Sequence, residues 1–219
     1  MTNLNKNSKL RKKMQLVLWL IVPITILGGL KYPLLGFIVP VVMLTGIIGA
    51  IIKKSRYVCG WLCPRGSFFD RVANLVSPHK NIPQWFRNPI FRWSVFAIMI
   101  SFMVFQIAQN PDDIYHWGQV FVRICIITTG IGIILAVLLH QRAWCSFCPM
   151  GTLQAQFSEP EKRLTMGSDC KMCRTCEKSC PINLKIVNNT DEDGRLMSKD
   201  CLSCPECQIS CPKKILKLP

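Results

Sequence analysis

Apolar and polar residues segregate along this chain in blocks far longer than a helical turn or a strand repeat. Four stretches free of Asp, Glu, Lys and Arg, residues 14–30, 34–52, 93–110 and 124–141, fill much of the first two thirds. Each has, or nearly has, the roughly 20 apolar residues that an α-helix needs to cross the hydrocarbon of a bilayer. The pattern predicts four transmembrane helices. Buried helices of a soluble core are the alternative, but four such runs leave no polar faces for water. Pro23 and Pro40 lie inside the runs, where neighbouring helices in a bilayer satisfy the carbonyls that proline frees.

The charges sit at the edges of these blocks. Lys6, Lys9, Arg11, Lys12 and Lys13 precede the first run, Lys53, Lys54, Arg56 and Arg65 follow the second, and Arg142 follows the fourth. The opposite turns hold Lys31 in the first hairpin, and Asp112 and Asp113 at the start of the second with Arg123 at its end. The positive-inside rule then places both termini in the cytoplasm. The expectation is a multi-pass protein of a bacterial or archaeal cytoplasmic membrane. No small-x-small cleavage site follows the basic start, so the first run is expected to stay. A net charge of +15 beside 50% hydrophobic residues fits a protein in contact with a lipid bilayer. It does not fit a nucleic-acid binder, which gathers its basic residues on one folded face. Asn110-Pro111-Asp112-Asp113 reads as a helix-ending turn rather than a proton-handling pair.

Each helical hairpin is followed by a related motif. Arg56-x2-Cys59-x3-Cys63-Pro64-x-Gly66-Ser67 resembles Arg142-x2-Cys145-x2-Cys148-Pro149-x-Gly151-Thr152. Two copies in one orientation imply parallel hairpin repeats about an axis along the membrane normal, with the cysteine pairs meeting across it. After the motifs, Phe68, Phe69, Val72, Leu75 and Val76 in one copy, and Leu153 and Phe157 in the other, suggest short amphipathic helices. These lie at the membrane interface or against the following cysteine-rich segment.

Of the thirteen cysteines, eight form one pattern written twice: Cys170-x2-Cys173-x2-Cys176-x3-Cys180-Pro181 and Cys201-x2-Cys204-x2-Cys207-x3-Cys211-Pro212. This is the spacing of bacterial two-cluster ferredoxins, in which the fourth cysteine of each run serves the other cluster. One [4Fe–4S] cluster is therefore expected on Cys170, Cys173, Cys176 and Cys211, and the second on Cys201, Cys204, Cys207 and Cys180. Zinc requires neither the third cysteine nor the one before proline. Disulfides do not suit the reducing side of a membrane. Asp191-Glu192-Asp193-Gly194 reads as a turn in the linking segment.

Cys59 and Cys63, with Cys145 and Cys148, add four more thiols. They are read as ligands of a third, shared iron–sulfur cluster, with another metal, dithiol redox chemistry or no cofactor as alternatives. Helices begun by Pro64 and Pro149 would favour thiolate and metal binding at Cys63 and Cys148 through their N-terminal dipoles. Cys125 is read as a packing residue. His79, His116 and His140 lie in no Cys-x-x-Cys-His motif, and no haem is assigned. Arg56, Arg65 and Arg142 suit positive-inside anchoring, or contact with cluster sulfide or a quinone headgroup.

The organisation expected is a basic N-terminal tail at residues 1–13, a membrane domain at 14–158 and a small α+β two-cluster ferredoxin-like domain at 159–219. Together these motifs resemble the NapH/NosR-type membrane iron–sulfur proteins over almost the whole chain. The second motif departs from their Cys-x3-Cys-Pro by one lost residue. Without a large periplasmic flavin-binding region, the chain is nearer the compact NapH type. The resemblance implies electron transfer between a quinone/quinol pool or a cytoplasmic donor and a redox partner protein, within a larger membrane complex in which the chain could serve a quinol dehydrogenase. No catalytic residue, oligomeric state or terminal substrate follows from it. The alternative is an iron–sulfur scaffold, maturation or regulatory protein for a partner metalloenzyme. A transporter is disfavoured because the apolar runs lack a charged or discontinuous substrate site.

Overall fold

The computed structural model describes residues 2–218; Met1 and Pro219, the outer ends of the tail and of the cysteine-rich domain, lie outside the described residues. Four helices are long and apolar enough to cross a membrane: α1 (Leu4–Lys31), α2 (Pro33–Lys53), α5 (Pro89–Ala108) and α6 (Ile114–Leu138). Between and after them come α3 (Tyr57–Trp61), α4 (Pro64–Arg71) and α7 (Pro149–Gln156). The cysteine-rich segment adds α8 (Thr175–Lys178), α9 (Glu206–Ser210), and strands β1 (Thr165–Met166) and β2 (Leu216–Lys217).

The basic stretch expected to be a tail is helical from Thr2 and runs into the first span, with Ser8, Arg11 and Gln15 buried. Polar groups of that stretch bind residues far along the chain, which fixes its course. Inside α1, Pro23 has no N–H to offer, so Trp19 O accepts from Val22 N instead (3.3 Å). Residues Ile24–Gly28 then wind as a π-helix, the local adjustment expected where a helical hydrogen bond is removed. Pro40 does no such damage. It falls near the start of α2, in the first turn after the opening 3-10 segment Pro33–Phe37, where the helix continues unbroken to Lys53.

The fourth span differs from the sequence reading. It begins at Ile114, capped by the Asp113 carboxylate on Tyr115 N (2.9 Å), so the turn before it is short. Arg123 therefore belongs to the helix rather than to the turn, with its side chain exposed. Twenty-five residues make a helix of about 37 Å, longer than the ~30 Å hydrocarbon core.

The short helices after the cysteine motifs pack inward. Phe69 is fully buried, in a cluster with Ala73, Ala136, Ala143, Trp144 and Phe147. Leu75 and Val76 remain exposed, because α4 ends at Arg71 and the following residues turn as a 3-10 helix. The cysteine-rich segment has a separate core of Leu164, Ile182, Leu184, Ile186, Leu196 and Leu202, against which Cys59 and Cys145 also pack. Its sheet pairs β1 with β2 antiparallel, Thr165 opposite Lys217 and Met166 opposite Leu216. The expected turn at Asp191–Gly194 is present, with Gly194 N bonded to Asp191 O (3.0 Å).

Phe69→Ala empties the packed contact between α4 and the fourth span, and is expected to cost about 3–5 kcal/mol. A thermal melt in detergent that matches the wild type would refute this role.

Candidate iron–sulfur sites

The twelve cysteines of the two patterns gather into three quartets. Cys170, Cys173, Cys176 and Cys211 line one cavity, together with Lys171, Arg174 and Lys213. Cys180, Cys201, Cys204 and Cys207 line a second, closed by Leu164, Leu184, Ile186 and Leu196. The fourth cysteine of each run thus stands with the other run's three. Between the two cavities the Ser179 and Ser210 hydroxyls meet at 2.6 Å.

Cys59, Cys63, Cys145 and Cys148 line a third cavity of about 160 Å³, bounded on its membrane side by Ile21, Thr25, Val42, Met43 and Met99. Cys63 and Cys148 occupy the N-cap positions of α4 and α7, ahead of Pro64 and Pro149. The Cys63 sulfur accepts from Gly66 N at 3.4 Å. Burial is the main influence that pushes the Cys59 and Cys145 thiols up to about 12, against the opposing pull of Arg56 and Arg142. Such thiols are poor nucleophiles, which weighs against a dithiol redox pair.

The motif arginines bind crosswise. Arg56 Nη2 donates to Cys145 O at 2.9 Å, and Arg142 Nη1 donates to Cys59 O at 3.1 Å. Both side chains are almost fully buried. Each is held by a carboxylate shared with a second arginine. Asp200 bridges Arg56 (2.8 Å) and Arg92 (3.0 Å), while Asp70 bridges Arg142 (2.6 Å) and Arg11 (2.8 Å). The motif glycines leave room for this. A Cβ at Gly151 would sit 2.2 Å from Arg56 Nη2, and one at Gly66 would sit 3.2 Å from Arg142 Nη2.

The third quartet abuts the second. Trp61 Nε1 donates to Ser203 O at 3.1 Å, and Gly60 lies so close to Leu202 that a Cβ would be 2.4 Å from its carbonyl oxygen. No group of three or more His, Cys, Asp or Glu among the described residues is drawn together as a single ion requires. Each cysteine quartet lines a cavity of its own. Beside the third cavity, Thr25 Oγ1 and Trp144 Nε1 are buried without a protein partner. Such orphans call for an acceptor that is not protein, and cluster sulfide is one.

Sequence reasoning passed over several of these residues. Cys125, taken as packing, lines the third cavity and accepts from Arg65 at 3.5 Å. Asp70, Asp200, Arg11 and Arg92 carried no motif. His79 and His140 stand edge to face with centroids 5.8 Å apart, in an open polar cleft beside Cys180. Burial, with His79 next in weight, takes His140 down to about 4, and its Nδ1 accepts from Arg142 N at 3.3 Å. His116 is bonded to Gln106 O (2.8 Å).

A family model described as a 4Fe-4S binding domain matches residues 35–83 and 124–166, and each segment contains one Cys-Pro motif. Two uncharacterized proteins of Methanocaldococcus jannaschii are 28% and 27% identical over 76% and 77% of this chain, covering 73% and 70% of their own lengths. An Escherichia coli protein named "Putative electron transport protein YccM" is 26% identical over 77% of this chain, which spans 54% of it. No solved structure matches the chain. An iron–sulfur site is thus supported by the family model as well as by the cysteine geometry.

Asp70 is the group to perturb. Burial works against its carboxylate, but Arg142, backed by Arg11 and Gln15, outweighs this and holds it below the usual range. A lowered folded value means that the stabilisation is complete above the unfolded value of about 3.9 and is lost as pH falls through the folded one. Asp70→Asn leaves the buried Arg142 guanidinium without a carboxylate and takes from Arg11 one of its two, and is expected to cost about 3–5 kcal/mol at pH 7. The gap in melting temperature from the wild type should close only below about pH 4; equal stability at pH 7 would show that the carboxylate is dispensable.

Proposed function

We propose that the protein is a membrane-embedded iron–sulfur electron-transfer subunit of the compact NapH type. In this reading Cys170, Cys173, Cys176 and Cys211 hold one [4Fe–4S] cluster, Cys201, Cys204, Cys207 and Cys180 a second, and Cys59, Cys63, Cys145 and Cys148 a third. The observation that carries it is the adjacency of three cysteine quartets, each around its own cavity, with Ser179–Ser210 and Gly60–Leu202 at the two junctions. When bound, each cluster supplies a one-electron couple, and no acid–base group is required for the transfer itself.

The chain's own residues set the order of the relay. The first quartet is the most open, with Cys173 exposed, whereas Cys204 and Cys207 of the second are buried. The third cavity faces apolar side chains of the spans, where a quinone could exchange electrons with it. In this reading the positive flanks favour the cytoplasmic side for all three sites. A soluble-side donor or acceptor would meet the first quartet, and the quinone pool the third. The name of the Escherichia coli relative agrees with an electron-transport role.

Anaerobic purification with iron and sulfide analysis and Mössbauer spectra tests this reading. Three cubanes predict about 12 Fe per chain, falling to about 8 in Cys63→Ser/Cys148→Ser. About 8 Fe in both proteins would remove the third centre, and zinc in place of iron would remove the proposal. With all three centres present, reoxidation of the reduced protein by a soluble quinone analogue is expected, with the double variant at least tenfold slower.

A further inference from the structure

The third cavity is lined by pairs of residues from equivalent positions of the two motif copies and the spans before them. Ile38 pairs with Ile124, Cys59 with Cys145, Cys63 with Cys148, Pro64 with Pro149 and Gly66 with Gly151. Three further pairs break the match: Val39 with Cys125, Val42 with Thr128, and Arg65 with Met150. These exceptions do not scatter around the cavity. Arg65 donates to the sulfur of Cys125 at 3.5 Å, and Thr128 lies one turn further along the same helix, its hydroxyl turned back to Ile124 O (2.7 Å). Met150 instead reaches helix α2, the helix of Val39 and Val42, with its Cε 3.1 Å from where a Gly46 Cβ would stand. At this one pair of equivalent positions the two copies therefore differ in charge, Arg65 facing Cys125 and Met150 facing α2, while Arg56, which also lines the cavity, is held by Asp200.

Arg65 differs from the other motif arginines in its partners. Arg56 and Arg142 are neutralised by Asp200 and Asp70, but Arg65 pairs with no carboxylate among the described residues and faces Cys125 beside Cys63 and Cys148. Arg65 is half-buried. A guanidinium without a carboxylate partner, beside a cavity walled largely by aliphatic side chains, is less screened than one in open water and acts on any charge that develops there. Positive-inside anchoring does not account for it, because an anchoring arginine points to phosphate and water.

Resting on the third-cluster reading above, we propose that Arg65 is a positioning residue that stabilises the reduced form of the third centre and makes that centre electrically one-sided. Reduction adds one electron and no proton, and no bond is made or broken, so the added negative charge is met by the fixed guanidinium. The centre's potential is thereby held above the value that the same four thiolates would give in a purely apolar cavity. Met150 in the second copy shows what the first copy would be without this charge.

The test is a mediated redox titration of the anaerobically purified full chain, following the EPR signal of each centre. Arg65→Met gives both copies the same side chain. It is expected to shift the third-centre midpoint downward by at least the tenfold change in reduced-to-oxidised ratio that corresponds to about 59 mV for one electron. The first two centres should stay put. Arg65→Lys, which keeps the charge, should recover most of the shift, and Met150→Arg should move the midpoint upward. The upward arm is decisive if Arg65→Met fails to retain its iron. A third signal of normal intensity whose midpoint ignores all three substitutions would overturn the proposal, as would equal shifts in all three centres. A wild-type protein with about 8 Fe and no third signal would remove the underlying reading as well, so the two failures are told apart.

Discussion

Two carboxylates, each shared by two buried arginines, tie the structure together: Asp70 joins α4 to the start of α1 and to the stretch after α6, and Asp200 joins the cysteine-rich segment to Arg56 and the base of α5. Asp70 of α4 takes Arg142 and Arg11, and Asp200 takes Arg56 and Arg92. A buried guanidinium without a partner costs several kcal/mol, whereas a fully bonded one roughly breaks even. Sharing makes the arrangement unforgiving, since loss of Asp200 would leave both Arg56 and Arg92 without a carboxylate, and loss of Asp70 would leave Arg142 without one. It also explains the course of the chain. The start of α1 must come to α4 to serve Asp70, and the segment carrying Asp200 must come to Arg56 and the base of α5.

The cysteine positions follow from the same bonds. Each motif arginine reaches across to the carbonyl of the other copy's first cysteine, so the two pairs cannot drift apart without releasing a buried charge. Glycine two residues after each Cys-Pro step leaves the space that the crossing guanidinium needs. Arginine, cysteine and glycine of the motif thus form one structural statement, in which the arginine of each copy is read by the glycine of the other. The two prolines then start helices whose N-caps are Cys63 and Cys148, and these carry the second sulfur of each pair to the same cavity.

What could be read from the sequence was what is local. The spans were legible because a run without charge is a property of consecutive residues, and the Cys-Pro helices because proline favours the first helical position. The start of the fourth span was not, since Arg123 looked like an edge when the helix was long enough to carry it inside. The ion pairs were invisible because their members stand far apart in sequence, as Arg56 and Asp200 do. Cys125 packs in the fourth helix as an apolar run suggests, but only the fold shows that it also lies across from Arg65.

Formal charge gives a last argument about what the third cavity is built for. Arg56 and Arg65 line it, Arg11, Arg92 and Arg142 belong to the ion pairs that hold the motifs, and the carboxylates paired with the set are Asp70, Asp200 and Glu206. With neutral thiols the ensemble keeps an excess of buried positive charge, an expensive state in a low-dielectric setting. Iron held by four thiolates is an anionic group, and it would meet that excess from the centre of the arrangement. The thiols pushed up by burial at Cys59 and Cys145 fit the same economy, since bound metal supplies the stabilisation that water cannot give their thiolates. Aliphatic residues would have packed such an interior at less cost, and under the proposed assignment an anionic cluster is the partner that these arginines would serve.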